Sequence, residues 1–319
     1  MPEPTDTVTA PGTLTDPGAG RIPSRHQGRP ASTASAVVRA VARYAGILPF
    51  TAYVVLGLII PMIAVAVGAF QNPDTGAWTT QNIDIATHGV YLTGFRESII
   101  LSVFAAVLPA IFGLLIAYAI FTAKRASLLR QVVITMSGVF ANFGGVPLAF
   151  LFITTLGSSG LETQWLKDLG WDIYAGGFSL YSITGIVVVY MYFQIPLMVL
   201  VILPALEGLK PAWREAAENL GARSWSYWRY VGGPVLLPSV LGSTLLLFGF
   251  GLSAYATAQA LTSGTVPLTA IQIGNFLSGN VIAGQGNVGQ ALGLGMVVII
   301  AVVMVFYVLL QRRAAKWLR

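Results

Sequence analysis

Long apolar stretches separated by short polar segments dominate the chain from about residue 47 to its end. Each of six such stretches is long enough to cross a bilayer as a helix, since about 20 helical residues span the hydrocarbon core. They cover approximately residues 47–70, 98–123, 132–156, 180–206, 234–261 and 289–311. This pattern predicts an all-α integral membrane protein with six transmembrane helices.

The N-terminal part of the chain has a different pattern. Residues up to about 33 are rich in Pro, Gly, Ser and Thr, so they bury too little apolar surface to offset the entropy of ordering. Val37, Val38 and Val41 then recur at helical spacing beside two arginines, which is typical of a helix along a membrane surface. We therefore divide the chain into a disordered or interfacial cytoplasmic segment, a first transmembrane helix with its outer loop, and a main membrane domain, over 1–45, 46–95 and 96–319.

Composition supports a membrane protein and excludes several kinds of site. The hydrophobic fraction is 55%, the charged fraction is 9% and the mean hydropathy is +0.74. There is no cysteine and there are only two histidines, so neither a thiolate metal site nor a histidine cluster is expected. The net charge of +6 comes from basic residues scattered between apolar stretches, which is not the pattern of a nucleic-acid-binding face.

The distribution of basic residues predicts the orientation of the chain. Lys and Arg accumulate in cytoplasmic loops. With a cytoplasmic N terminus, sixteen of the eighteen basic residues lie inside, and only Arg96 and Lys167 lie outside. We predict a multi-pass protein of the bacterial inner membrane with both termini in the cytoplasm. Its outer loops are too short for a folded domain, so a separate extracytoplasmic protein is expected to capture any solute.

The loop between the fourth and fifth predicted spans, residues 207–233, carries the most specific pattern. We refer to it as the Glu215 loop. Pro211 suits the first turn of a short helix and Gly221 the left-handed position that ends one. Ser224 is placed to cap a second short helix over 225–230. A solvated connection between two spans is the simplest interpretation. The alternative is a docking site for a partner, which small alanines, carboxylates and tryptophans would favour.

The spacing in the Glu215 loop resembles a known signature. Glu-Ala-Ala is followed after three residues by Gly, after nine more by an aliphatic residue and after two more by Pro, at Glu215, Ala216, Ala217, Gly221, Val231 and Pro234. This is similar to the EAA loop in the permease subunits of type I ABC importers, the family with the methionine-permease-like fold. Gly233 departs from the Leu that the family often has there.

The resemblance implies both a mechanism and a set of partners. The short helix that carries Glu215 would dock into a cleft on an ATPase subunit, with Glu215 facing a basic residue there. The partners would be two ATP-binding subunits, a second permease subunit that is identical or homologous, an extracytoplasmic solute-binding protein and the lipid bilayer, with no nucleic acid. ATP and Mg would bind to the ATPase, and no cofactor to this chain.

The sequence argues against an enzyme and against its being its own ATPase. A Walker A loop needs a lysine after a glycine, and none of the four lysines follows one. An ion-coupled secondary transporter is the alternative mechanism, but it would normally place an ionisable residue inside a span. No such residue lies well inside any predicted span, so we assign no catalytic residue and no metal ligand.

Polar residues inside the predicted spans are candidates for a translocation path. In lipid they are costly, so they are expected to face protein or a cavity. Close packing between helices is the alternative role for each of them. The candidates are Asn142, Gln194, Ser253, Tyr255, Thr257 and Gln259.

The substrate class rests on weaker features. Sugar permeases of this fold usually carry Asp immediately before the loop glycine, whereas this chain has Leu220. The stretches 141–150 and 257–264 resemble permeases for polyamines and aminophosphonates. A polyamine such as spermidine or putrescine is therefore the leading candidate solute. Aminophosphonates, ferric iron, thiamine, sulfate-type anions and sugars remain alternatives.

Overall fold

The structure, a computed structural model, describes residues 47–123, 127–279 and 285–316 and is nearly all helical there. The predicted N-terminal segment 1–45 lies outside the described residues. The helices are α1 Leu48–Val54, α2 Ile60–Ala69, α3 Gln81–Ala86, α4 Gly89–Thr122, α5 Ser127–Asn142, α6 Gly145–Leu156, α7 Leu161–Asp168, α8 Ile183–Glu207, α9 Pro211–Asn219, α10 Ser224–Tyr227, α11 Gly233–Ser253, α12 Ala256–Thr262, α13 Thr269–Leu277 and α14 Val288–Lys316. Two π-helical segments, Val55–Ile59 and Trp228–Gly232, join α1 to α2 and α10 to α11.

Over the described residues, six helical segments are long and apolar enough to cross a membrane, which confirms the number predicted from the sequence. They are Leu48–Ala69, Gly89–Thr122, Gly145–Asp168, Ile183–Glu207, Ser224–Ser253 and Val288–Arg313. Their outward surfaces are apolar, as Val302 and Phe306 in α14 illustrate with exposed fractions of 60% and 64%. Such a surface would aggregate in water and is stable in lipid.

The described residues divide into two compact units, with the boundary between Ile59 and Ile60. In the first unit, α1 and the π-helical segment Val55–Ile59 bury no residue, and Leu48, Phe50 and Leu56 are each more than 60% exposed. An apolar helix without a buried face is typical of a membrane span whose surroundings are lipid.

The second unit is built around the packing of α4 against α8. At Gly113 in α4 a Cβ atom would lie 2.6 Å from Cβ of Met198 and 2.9 Å from the carbonyl oxygen of Ile195 in α8. Small residues allow this close approach, which is how helices associate without a hydrophobic driving force. Arg130 at the start of α5 forms an ion pair with Glu207 at the end of α8.

Two predicted spans are discontinuous, which corrects the expectation of unbroken helices over 132–156 and 234–261. The first divides into α5 and α6 at Phe143 and Gly144, and the second into α11 and α12 at Ala254 and Tyr255. Gly145 explains the first break, because its φ of +75° is a left-handed conformation that ends a helix. Pro147 adds to it, because proline has no N–H to continue the ladder.

Candidate functional site

The first half of the Glu215 loop folds as the sequence predicts. Pro211 occupies the first turn of α9, and Gly221 follows the helix with a φ of +75°. The N–H of Gly221 donates to the carbonyl oxygen of Glu218 at 2.9 Å, and that of Ala222 to Ala217 at 2.9 Å. These two bonds form a Schellman motif, which satisfies carbonyls that the helix end would otherwise leave free. The sharp turn fixes α9 relative to the segment that follows.

The second half of the loop differs from the prediction. Ser224 is the first residue of α10 rather than its cap, and the cap position is Arg223, whose side chain makes no capping bond. The helix then widens into the π-helical segment Trp228–Gly232, which contains Val231. A Cβ atom on Gly232 would lie 2.8 Å from the indole of Trp228, so the wide turn needs a glycine there. Because α11 follows directly, with Pro234 near its start, the loop continues into a membrane helix with no non-helical residue between them.

The loop presents an apolar surface beside an exposed carboxylate. Leu220 is 88% exposed and Trp225 is 74% exposed. Arg214 pairs with Glu218 at 2.9 Å, whereas Glu215 has no ion-pair partner among the residues that the structure describes. Glu215 and Ala216 are both exposed, and Ala217 is half-buried. Exposed large apolar side chains such as Leu220 and Trp225 are more typical of an interface than of a solvated connection.

The two helix breaks, which we call the paired breaks, lie side by side. They consist of Phe143–Gly144 and Ala254–Tyr255 with the residues that flank them. The hydroxyl oxygen of Thr257 accepts the N–H of Gly145 at 2.9 Å, and the same hydroxyl lies 3.3 Å from the carbonyl oxygen of Gly145, to which it donates. One side chain in α12 therefore binds both main-chain groups of the residue that begins α6.

Tyr190 in α8 binds the second break. Its hydroxyl donates to the carbonyl oxygen of Ala254 at 2.7 Å, and the residue is completely buried. Main-chain groups inside a membrane need an internal partner, and here an aromatic side chain provides one. Tyr190 is not among the site residues predicted from the sequence. Its position in the sequence could have indicated this role, because a tyrosine hydroxyl within an apolar predicted span needs a hydrogen-bond partner there.

The predicted path residues separate by burial into three groups: exposed, buried and half-buried. Asn142, Ser253 and Tyr255 are exposed at the paired breaks, whereas Thr257 is buried between them. Gln194 is completely buried one turn beyond Tyr190, and neither of its amide atoms has a hydrogen-bond partner among the residues that the structure describes.

Gln259 in α12 is half-buried, and its amide oxygen has no hydrogen-bond partner in the described part of the chain. Of the six candidates, Asn142, Ser253 and Tyr255 are therefore the exposed ones in this conformation. Within the described part of the chain, no group of three or more His, Cys, Asp or Glu residues is placed to hold a metal ion.

Comparisons with known proteins agree with the fold. Residues 89–318, which are more than half of the chain, match the family described as binding-protein-dependent transport system inner membrane component. The thiamine transport system permease protein of Salmonella typhimurium is 28% identical over 226 residues, which cover 67% of this chain and 39% of the relative. The chain thus spans about two fifths of the length of that protein.

Two further proteins extend the comparison. The sulfate transport system permease protein of Escherichia coli is 27% identical over 206 residues, which cover 64% of this chain and 69% of the relative. The crystal structure of a bacterial alginate ABC transporter, in complex with an alginate pentasaccharide-bound periplasmic protein, contains a chain with the same fold. That chain has a TM-score of 0.72 and 19% identity, and the match covers 88% of this chain and 97% of that one. The protein is therefore a member of the family of inner membrane components of binding-protein-dependent transport systems, with the type I importer permease fold.

Proposed function

We propose that the chain is the membrane-spanning permease subunit of an ATP-driven ABC importer. The observation that carries this proposal is the geometry of the Glu215 loop. The short helix α9 carries the exposed Glu215, which has no ion-pair partner among the described residues, and it ends in a Schellman turn. The second half of the loop then continues into the membrane helix α11. A loop built in this way would transmit a push from a docked subunit to the membrane, because its second half runs directly into α11.

The partners follow from this role. Two separate ATPase chains bind ATP and Mg, and α9 enters a cleft on one of them with Glu215 against a basic residue. A second permease subunit completes the transmembrane pair. An extracytoplasmic binding protein delivers the solute, which the family description and the periplasmic protein in the alginate complex support. The termini of the chain lie on the cytoplasmic side of the bacterial inner membrane, in agreement with the distribution of its basic residues.

The solute is small and polar. The relatives compared above are named for thiamine and sulfate, and the structural neighbour for alginate. From the sequence, a polyamine such as spermidine or putrescine is our candidate for this chain. The most direct test is to identify the ligand retained by the binding protein that is encoded beside it.

The role of the Glu215 loop is tested by Glu215→Lys. We expect the variant to insert in the membrane normally, to lose transport and to co-purify with less ATPase, because a lysine would repel the basic partner. Glu162→Lys is the matched control, since it makes the same charge change in an exposed residue of α7, far along the chain from the loop. Normal transport and normal ATPase recovery with Glu215→Lys would refute the proposed role.

A further inference from the structure

We propose that α7 lies in the outer boundary of the bilayer, with one side on the protein, one in lipid and one in water. The helix, Leu161–Asp168, lies in the segment between the membrane helices α6 and α8. The apolar segment Gly145–Asp168 includes it. However, α5 and α6, with 16 and 12 residues, together exceed the roughly 20 residues that cross the hydrocarbon core. The span therefore needs no contribution from α7.

Three stripes of side chains run along α7. The first faces the protein, since α7 packs on α6 and this stripe consists of the completely buried Thr163 and the half-buried Leu166. The second, which we call the apolar stripe, is more than 60% exposed at each position and consists of Leu161, Trp165 and Leu169. The third, which we call the polar stripe, is also exposed and consists of Gln164 and Lys167. With 3.6 residues per turn, the three stripes point in directions about 120° apart.

This pattern fits a boundary between three environments. A helix that packed on α6 in water would carry polar residues in both exposed stripes. Within hydrocarbon both would be apolar, because an ionised Lys167 is costly there. An apolar stripe beside a polar one is typical of helices in the membrane interface. Glu162, between the protein-facing and apolar stripes, is the exception, but it lies in the first turn, where free N–H groups stabilise a carboxylate.

Trp171 adds a second exposed tryptophan to this segment. Its N–H donates to the carbonyl oxygen of Leu166 at 2.8 Å, and the N–H of Gly170 donates to that of Lys167 at 2.9 Å. These bonds form a Schellman motif, which fixes Trp171 relative to α7. Tryptophan is enriched at membrane–water boundaries, because its ring is apolar and its N–H is polar. Trp165 and Trp171, both largely exposed, therefore favour lipid headgroups as the surroundings of this segment.

Tyr174 ties the segment after α7 to the outer end of α6. Its hydroxyl donates to the carbonyl oxygen of Leu156, the last residue of α6, at 2.8 Å. The chain therefore returns to the end of the membrane helix instead of extending away from it. On its exposed side α6 is apolar, as Phe150 and Leu151 show. The lipid that covers α6 thus reaches the end of the helix on which α7 packs.

The polar stripe carries an ion pair that remains accessible. Nζ of Lys167 lies 3.4 Å from a carboxylate oxygen of Asp172, and both side chains are exposed. The pKa of Asp172 is lowered, chiefly by the N–H of Ala175, so this carboxylate stays charged. An exposed pair of charges is stable in water or among headgroups and costly in hydrocarbon. This side of α7 therefore faces away from the hydrocarbon core.

The proposal is tested by measuring which side of α7 contacts lipid. The chain has no cysteine, so a single thiol is introduced by each of Leu161→Cys, Trp165→Cys, Gln164→Cys and Lys167→Cys. Each variant of the full chain is labelled with a methanethiosulfonate nitroxide and reconstituted in lipid nanodiscs. Power-saturation EPR then measures how often the nitroxide collides with molecular oxygen, which concentrates in lipid, and with nickel ethylenediaminediacetate, which stays in water. Gln164→Cys and Lys167→Cys are the matched controls from the polar stripe.

We expect the ratio of oxygen to nickel collisions to be several-fold higher in Leu161→Cys and Trp165→Cys than in the two controls, because only the apolar stripe reaches lipid. Equal ratios at all four positions would overturn the proposal, since α7 would then lie in a single environment. Infrequent collisions with both reagents at the apolar stripe would also overturn it, because protein would then cover that stripe.

Leu161→Cys is the decisive variant, because it retains Trp165, whereas Trp165→Cys removes an anchoring side chain. If Leu161→Cys collides with the nickel complex as often as Gln164→Cys does, the apolar stripe lies in water, as expected of a docking site for another protein, and the proposal fails. The measurement requires neither ATPase nor transport. Its result is therefore independent of the Glu215→Lys experiment.

Discussion

The hydroxyl of Thr257 is the most informative single group to remove. In Thr257→Val the side chain keeps its shape, but Gly145 loses the partner of both its N–H and its carbonyl. A hydrogen bond between membrane helices is worth about 0.6 kcal/mol on average, because polar side chains find other partners when it is lost. A main-chain N–H held in a left-handed turn cannot rotate to find one. We therefore expect a cost nearer that of an unsatisfied buried group, about 2 kcal/mol.

Thermal unfolding of the purified chain in detergent measures this cost. A loss of about 2 kcal/mol in the free energy of unfolding corresponds to a fall in Tm of roughly 4 °C for a chain of this size. Thr257→Ser is the matched control, since it restores the hydroxyl and should recover most of the Tm. Two results would refute the reasoning: a valine variant as stable as the parent, or a serine variant as unstable as the valine one. Either would mean that the hydroxyl does not hold the breaks together.

Three further variants test other parts of the structure. Gly221→Val forces a β-branched residue into a φ of +75°, and we expect transport to fall while membrane insertion is unchanged in a fractionation assay. The side chain added in Gly113→Val would lie against α8, so we expect the free energy of unfolding to fall by about 1–3 kcal/mol in thermal unfolding. In Gly138→Ala the added Cβ meets no atom within 4 Å, and we expect no such fall. Tyr190→Phe keeps the buried ring but leaves the carbonyl of Ala254 without its donor, so Tm should fall by the equivalent of about 1 kcal/mol. An unchanged Tm for Tyr190→Phe, or equal losses for Gly113→Val and Gly138→Ala, would contradict these interpretations.

The sequence predicted features that depend on local chemistry. The six spans follow from hydropathy, because a long apolar stretch has few other stable structures. The turn after α9 follows from Gly221, because few other residues adopt its conformation. Both predictions concern neighbouring residues, so the sequence contained all the information that they needed.

Features that depend on contacts between distant residues were not predictable in the same way. The break after Ser253 has no proline or glycine at Ala254 or Tyr255, and its main-chain carbonyl binds Tyr190, which lies 64 positions away. The burial of Gln194 was likewise not predictable from the sequence. Hydropathy made it a path candidate, yet the packing of α8 buries it completely in this conformation. Burial of a polar side chain is decided by its neighbours in space, and one sequence does not specify them.

The two sites are connected through a single helix. The π-helical segment Trp228–Gly232 passes from the Glu215 loop into α11, and α11 runs 21 residues, about 31 Å, to the paired breaks. Tyr190, which binds the far break, lies seven residues after the start of α8, while the Glu215 loop begins at the other end of that helix. A displacement of α9 that is transmitted along α11 would shift Ala254 against the hydroxyl of Tyr190. Because an ordinary hydrogen bond weakens steeply beyond about 3.2 Å, a shift of one ångström at the breaks is enough to release it. We therefore expect Tyr190→Phe to alter the ATP dependence of transport as well as stability, and an unchanged dependence would separate the two sites.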